Sequence, residues 1–81
     1  MNKQPFYHCG EEIKGNKASI IKAIKSIKTV IKSSVEFYNG ELLFTATSDV
    51  SEEANAALKA LPNVVVGVEI GAEAGDPADL M

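Results

Sequence analysis

The spacing of apolar residues changes several times along this 81-residue chain, and each change marks an element. An apolar start, Pro5 to Cys9, reads as a first strand. From Asn16 to Lys32 the period lengthens. Ile20, Ala23, Ile24, Ile27, Val30 and Ile31 gather on one side at about 100° per residue, which predicts an amphipathic helix. Lys17, Lys22, Lys25, Lys28 and Lys32 fall on the other side, with Ile21 among them. Asn16 is the expected N-cap, because its side chain can accept from an orphan backbone N–H. The period then drops to two. Asn39-Gly40 predicts a type I′ hairpin turn, since both central residues need positive φ. A two-residue loop sets Tyr38 against Glu41, Phe37 against Leu42, Glu36 against Leu43 and Val35 against Phe44. Val35, Phe37, Leu42, Phe44 and Ala46 therefore share one face, and Glu36, Tyr38, Glu41, Leu43 and Thr45 the other.

A second helix is expected from Asp49 to just before Pro62. Asp49-Val50-Ser51-Glu52 has capping-box spacing, and Ala54, Ala57, Leu58 and Leu61 make its apolar stripe. Pro62 ends it through its missing N–H and its ring. Val64, Val66, Val68 and Ile70 then alternate with other residues, the period of a strand. The order β-α-β-β-α-β predicts an α+β, ferredoxin-like two-layer sandwich: one antiparallel sheet in the order 4-1-3-2, with both helices on the face bearing Val35, Phe37, Leu42 and Phe44. Ile24 and Ile27 are expected among the most buried residues. A single domain spans residues 1–71, and the Gly/Ala/acidic stretch 72–81 reads as a flexible tail.

Charge divides the chain. Residues 1–35 hold seven lysines against two glutamates, and residues 36–81 hold one lysine against nine acids, for a net charge of −3. Such polarity suits head-to-tail self-association or docking to a charged partner. Arginine is absent, which removes the bidentate and stacking contacts typical of nucleic-acid readers. No apolar run reaches the ~18 residues of a membrane span. Residues 1–5 carry one Lys and no apolar stretch, so no secretory leader is expected. One cysteine excludes an intrachain disulfide, and a cytoplasmic location follows as the expectation.

Chemistry-bearing residues are few. His8-Cys9 is the only pair of soft metal ligands, and neighbours on a regular strand point to opposite faces, so the two diverge. An intrachain site would need Glu11 and Glu12 as well. The isolated monomer is therefore expected not to hold Zn(II) or Cu(I) tightly, and a metal role would need His8 and Cys9 shared across a dimer. The same divergence defeats a Cys–His nucleophile. Lys14-Gly15-Asn16-Lys17 lacks phosphate-loop spacing, though two lysines at a helix start could meet an anion, as in an anion-binding regulator. No cofactor motif is present.

Three segments carry a family resemblance: Ile21-Lys-Ala-Ile24-Lys-Ser-Ile27-Lys-Thr-Val30, then Ser34-Val-Glu-Phe-Tyr, then Leu42-Leu-Phe-Thr-Ala. From Ile21 to about Leu61 the chain resembles the heavy-metal-associated domains of copper-chaperone type. That family has a Cys-x-x-Cys before its first helix, where this chain has Lys14-Gly15-Asn16-Lys17. The resemblance implies the fold and does not bring the metal function with it. The expected function is that of a small, non-enzymatic module that binds a protein partner or itself, as in a homodimer. Its expected contact residues are Tyr38 and Leu43 with Glu36 and Glu41 on the open sheet face, and Ile21, Lys22 and Lys25 on the competing helix surface.

Overall fold

The computed structural model describes residues 5–74. β1 (Phe6–Lys14) is followed by α1 (Lys17–Lys25), a 3-10 turn (Lys32–Ser34), β2 (Glu36–Tyr38), β3 (Glu41–Ala46), α2 (Ser51–Lys59) and β4 (Val65–Ala74). The four strands form one antiparallel sheet in the order β2-β3-β1-β4, which is 4-1-3-2 when counted from the opposite edge. This α+β arrangement is consistent with a ferredoxin-like fold. No helix of the described residues is long and apolar enough to cross a membrane.

The hairpin has the register that its turn dictates. Glu36 faces Leu43, Phe37 faces Leu42 and Tyr38 faces Glu41. Asn39 and Gly40 both have positive φ, 50° and 82°, as a type I′ turn requires. β2 itself begins only at Glu36, so Val35 packs against the core without joining the ladder.

Helix α1 starts as expected and stops seven residues early. The Asn16 side chain accepts from the Ser19 N–H at 3.0 Å. At the other end the Ser26 N–H is shared between the Lys22 and Ala23 carbonyls, and the Ser26 hydroxyl donates to the Ala23 carbonyl at 2.6 Å. Bonds of i→i−3 type at Ile27 and Val30 replace the α ladder. The following β-branched residues, Thr29, Val30 and Ile31, favour extended backbone. They pair with the end of β3: Ile31 N–H donates to Thr45 O, Thr47 N–H donates to Thr29 O, and Val30 bridges to Ala46. Ile27 and Val30 stay buried, but Ile31, expected on the core face, is 40% exposed. In extended backbone Val30 and Ile31 point to opposite sides, which a continued helix would not allow.

The start of α2 also differs from the expected capping box. Asp49 accepts from the Ser51 N–H at 3.0 Å in an Asx turn, Val50 flanks the helix, and Glu52 is exposed. Glu52 and Glu53 still occupy the first turn, where the helix dipole favours negative charge. Asn55 ties α2 to the sheet edge: its side-chain amide donates to the Ile70 carbonyl at 3.0 Å and accepts from the Ile70 N–H at 2.9 Å. This satisfies part of the outer edge of β4, a row of groups that would otherwise be open to strand addition.

β4 continues through Ala74. Tyr7 faces Glu73 and Phe6 faces Ala74, so the domain extends three residues beyond the boundary expected at 71. The rest of the expected tail, 75–81, lies outside the described residues. A register shift between Cys9 and Glu11 interrupts the β1–β4 ladder, and Glu12 has φ of 56° there. Val68, in the alternating run Val64, Val66, Val68 and Ile70, is 50% exposed beside this irregularity, whereas Ile70 is buried.

Ile13, Ile20, Ile24, Leu42, Phe44, Val50, Ala54, Leu58 and Ile70 are the main members of the core between sheet and helices. Gly10 is buried in it. A Cβ at Gly10 would lie 2.6 Å from Ile13 Cδ1 and 2.7 Å from Ile70 Cγ1. Gly10→Ala is therefore expected to destabilise the fold by about 1–3 kcal/mol through overpacking, read as a lower urea midpoint with an unchanged denaturant slope.

Candidate functional site

The helices cover one sheet face and leave the other open. Cross-strand pairing fixes what the open face displays. One row reads Glu36, Leu43, Cys9 and Gly71, and a neighbouring row reads Thr45, Tyr7 and Glu73. Tyr38 and Glu41 face each other at the hairpin end. Tyr38 is 60% exposed, Leu43 and Glu41 are half-buried, and Glu36 is exposed. The four contact residues expected on this face are thus brought together. Thr45 is not freely available, at 9% exposure. The 3-10 turn folds beside it, where the Ser34 hydroxyl accepts from the Thr45 N–H at 2.8 Å and donates to the Ile31 carbonyl. A shallow depression bounded by Tyr7, Ser34, Glu36, Leu43 and Thr45 results. Val65 pairs with Lys14 at the C-terminal end of β1, beyond the part of β1 that pairs with β3.

Tyr7 and Cys9 are members of this face that the contact prediction missed. Their signal is the alternation of β1 once its pairing with β3 is known. Cys9 brings a small cluster with it. Its thiol, one Glu11 oxygen and one Glu41 oxygen all lie within 4.8 Å of one another, and the thiol is 4.0 Å from Glu41 Oε1. Partial burial pushes the Cys9 thiol up, and the charges of Glu41 and Glu11 push it further. The thiol is thus held in its protonated, weakly nucleophilic form. Of the two carboxylates expected, Glu11 belongs to the group and Glu12 does not; Glu41 takes the place beside it.

His8 lies on the other side of the sheet. Its ring is buried and stacked on Phe44, with centroids 4.6 Å apart and planes 3° from parallel. Nε2 accepts from the Val50 N–H at 3.3 Å and lies 3.7 Å from Asp49 Oδ1, while Nδ1 has no partner. Burial lowers the pKa of His8, and the Asp49 carboxylate opposes that shift. Asp49 is itself held below the usual carboxylate range, mainly by the Ser51 backbone N–H and hydroxyl and to a lesser degree by His8. The sequence neighbours His8 and Cys9 therefore serve different layers: one imidazole in the core, one exposed thiol on the open face.

The competing helix surface is also built. Lys22 is exposed, while Ile21 and Lys25 are half-buried. Ser19, Lys22, Ala23, Ser26 and Leu61 line a shallow groove where α1 meets the end of α2. At the start of α1, the Lys17 ammonium sits 5.6 Å from the centre of the Phe37 ring, a cation–π distance. Asn16 already occupies the Ser19 N–H, so one donor that an anion would need there is taken. Comparison with protein-family models, with curated proteins and with solved structures gives no match.

Proposed function

We propose that this chain is a small, non-enzymatic binding module of ferredoxin-like topology that captures a protein on its open sheet face. One observation carries the reading. An uncovered face gathers an exposed aromatic, Tyr38, with half-buried Leu43 and Tyr7, and rims them with Glu36, Glu41 and Glu73. An aromatic anchor inside a polar rim is the usual anatomy of a binding centre. β2, three residues long, adds an unpaired sheet edge beside it.

Three other readings are weaker on physical grounds. Metal handling by His8 and Cys9 across a dimer would need an exposed imidazole, and the His8 side chain is fully buried. Anion binding at Lys14 and Lys17 competes with the Asn16 cap and with the stacking of Lys17 on Phe37. Nucleophilic catalysis would have to join a protonated thiol to an imidazole on the opposite side of the sheet.

A photo-crosslinking residue in place of Tyr38, used in extract of the native cell, tests the proposal. The expected result is an adduct that disappears when Leu43→Glu is added, with the circular dichroism spectrum unchanged. An adduct that persists in Leu43→Glu, or one formed only from position 22, would move the binding site off the open face.

A further inference from the structure

We infer that the protein captured by the open face is a second copy of this chain, docked head-to-tail through the lysine-bearing side of α1. This rests on the open-face reading and names its partner. The two surfaces are chemically complementary. β2 and β3 contain no lysine, and Glu36 and Glu41 flank Leu43 and Tyr38. Helix α1 contains no acid; it buries Ile20 and Ile24 and turns Lys22 outward, with Lys25 beside it. The groove lined by Ala23 and Leu61 next to Lys22 gives an apolar seat for an aromatic side chain.

Among the described residues neither set of charges is neutralised within the molecule. Among the described residues the one close lysine–carboxylate pair is Lys59–Glu69, at 3.9 Å, and it involves neither surface. The lysines of α1 and the glutamates of the hairpin are therefore available to pair between molecules. Geometry then selects the mode of association. A two-fold contact of open face against open face would oppose glutamates to glutamates, and α1 against α1 would oppose lysines to lysines; like charges across an interface disfavour both. Placing the helix layer of one copy on the sheet of the next satisfies both surfaces. It is a heterologous contact that leaves one free face at each end and permits growth.

Sedimentation of the purified chain, with two complementary variants, tests this. The wild-type chain is expected to associate as its concentration rises, and to dissociate as salt rises because exposed charges are screened. Leu43→Glu, and separately Lys22→Glu with Lys25→Glu, should each weaken association by roughly tenfold or more, as loss of a central anchor does. An equimolar mixture of the two variants should recover a one-to-one dimer and grow no further, since it retains one intact surface of each kind. Tyr38→Ala, at an exposed position, replaces Leu43→Glu should that variant fail to fold. A lysine variant that associates like wild type, or a mixture that stays monomeric, would overturn the head-to-tail contact. A wild-type chain that stays monomeric at every concentration would overturn self-recognition. If position 38 still crosslinks to a different protein and Leu43→Glu abolishes that adduct, the open-face reading survives that failure. If it does not, both fall.

Discussion

Ile24→Ala is expected to cost about 2–5 kcal/mol, the range for truncating a fully buried aliphatic side chain. Ile24 has no exposed surface and sits on the buried side of α1, in one cluster with Ile20, Leu42, Leu58 and Phe44. Truncation removes apolar surface from the core and leaves a cavity that the neighbouring helix and sheet only partly fill. Small domains have total stabilities of about 5–15 kcal/mol, so this one change removes a large share. Urea unfolding should show a much lower midpoint. Ile31→Ala supplies the control. Had α1 run to Lys32, Ile31 would share the core face, and its truncation would cost nearly as much. At 40% exposure in extended backbone, it should cost well under that, about 0.5 kcal/mol. Equal losses at Ile24 and Ile31 would contradict the early end of the helix.

That contrast shows where the sequence is legible. The hairpin register could be read because the Asn39-Gly40 turn and the two-residue period act on adjacent residues. The apolar spacing marks the stripe Ile20, Ile24, Ile27, Val30 as buried, and it is, yet its backbone changes from helical to extended partway along. Apolar spacing cannot register that change, because Ile27 and Val30 meet the same core in either conformation. What decides it is the pairing of Thr29 and Ile31 with β3, a contact between segments far apart in sequence. The shielding of Thr45 by Ser34 follows from that same pairing. The open face shows the same division. The hairpin alone places Tyr38, Leu43, Glu36 and Glu41 together, whereas Tyr7 and Cys9 join them only through the β1–β3 register. The approach of Cys9 to Glu41 links residues 32 positions apart and leaves no local mark.

His8 should make the fold sensitive to acid. With Nε2 accepting the Val50 N–H, the ring carries its one proton on Nδ1. A second proton on Nε2 would set two donors against each other, break the bond at the start of α2, and place a charge in the core beneath Phe44. Asp49, 3.7 Å from Nε2, offsets that cost only in part, and burial remains the dominant effect, so the folded-state pKa of His8 lies below its ordinary value. The sign follows. Below about pH 6.5 the unfolded chain binds a proton that the folded chain refuses, so stability is complete above that value and declines as pH falls toward the folded pKa. The slope cannot exceed about 1.4 kcal/mol per pH unit for one such proton. Asp49 contributes in the same direction at lower pH, because its own pKa is depressed by folding. Urea midpoints measured from about pH 7.5 down to about pH 5 should fall for the wild-type chain, while His8→Phe, which keeps a ring against Phe44 but cannot titrate, should lose that part of the slope. Asp49→Asn should lower the His8 pKa further, visible as a shift of its ring-proton titration to more acid pH. A His8 titration centred above its ordinary value would mean that the imidazole is charged in the fold, and identical pH slopes for wild type and His8→Phe would mean that folding leaves its pKa unshifted; either result would contradict a neutral ring whose Nε2 holds the start of α2.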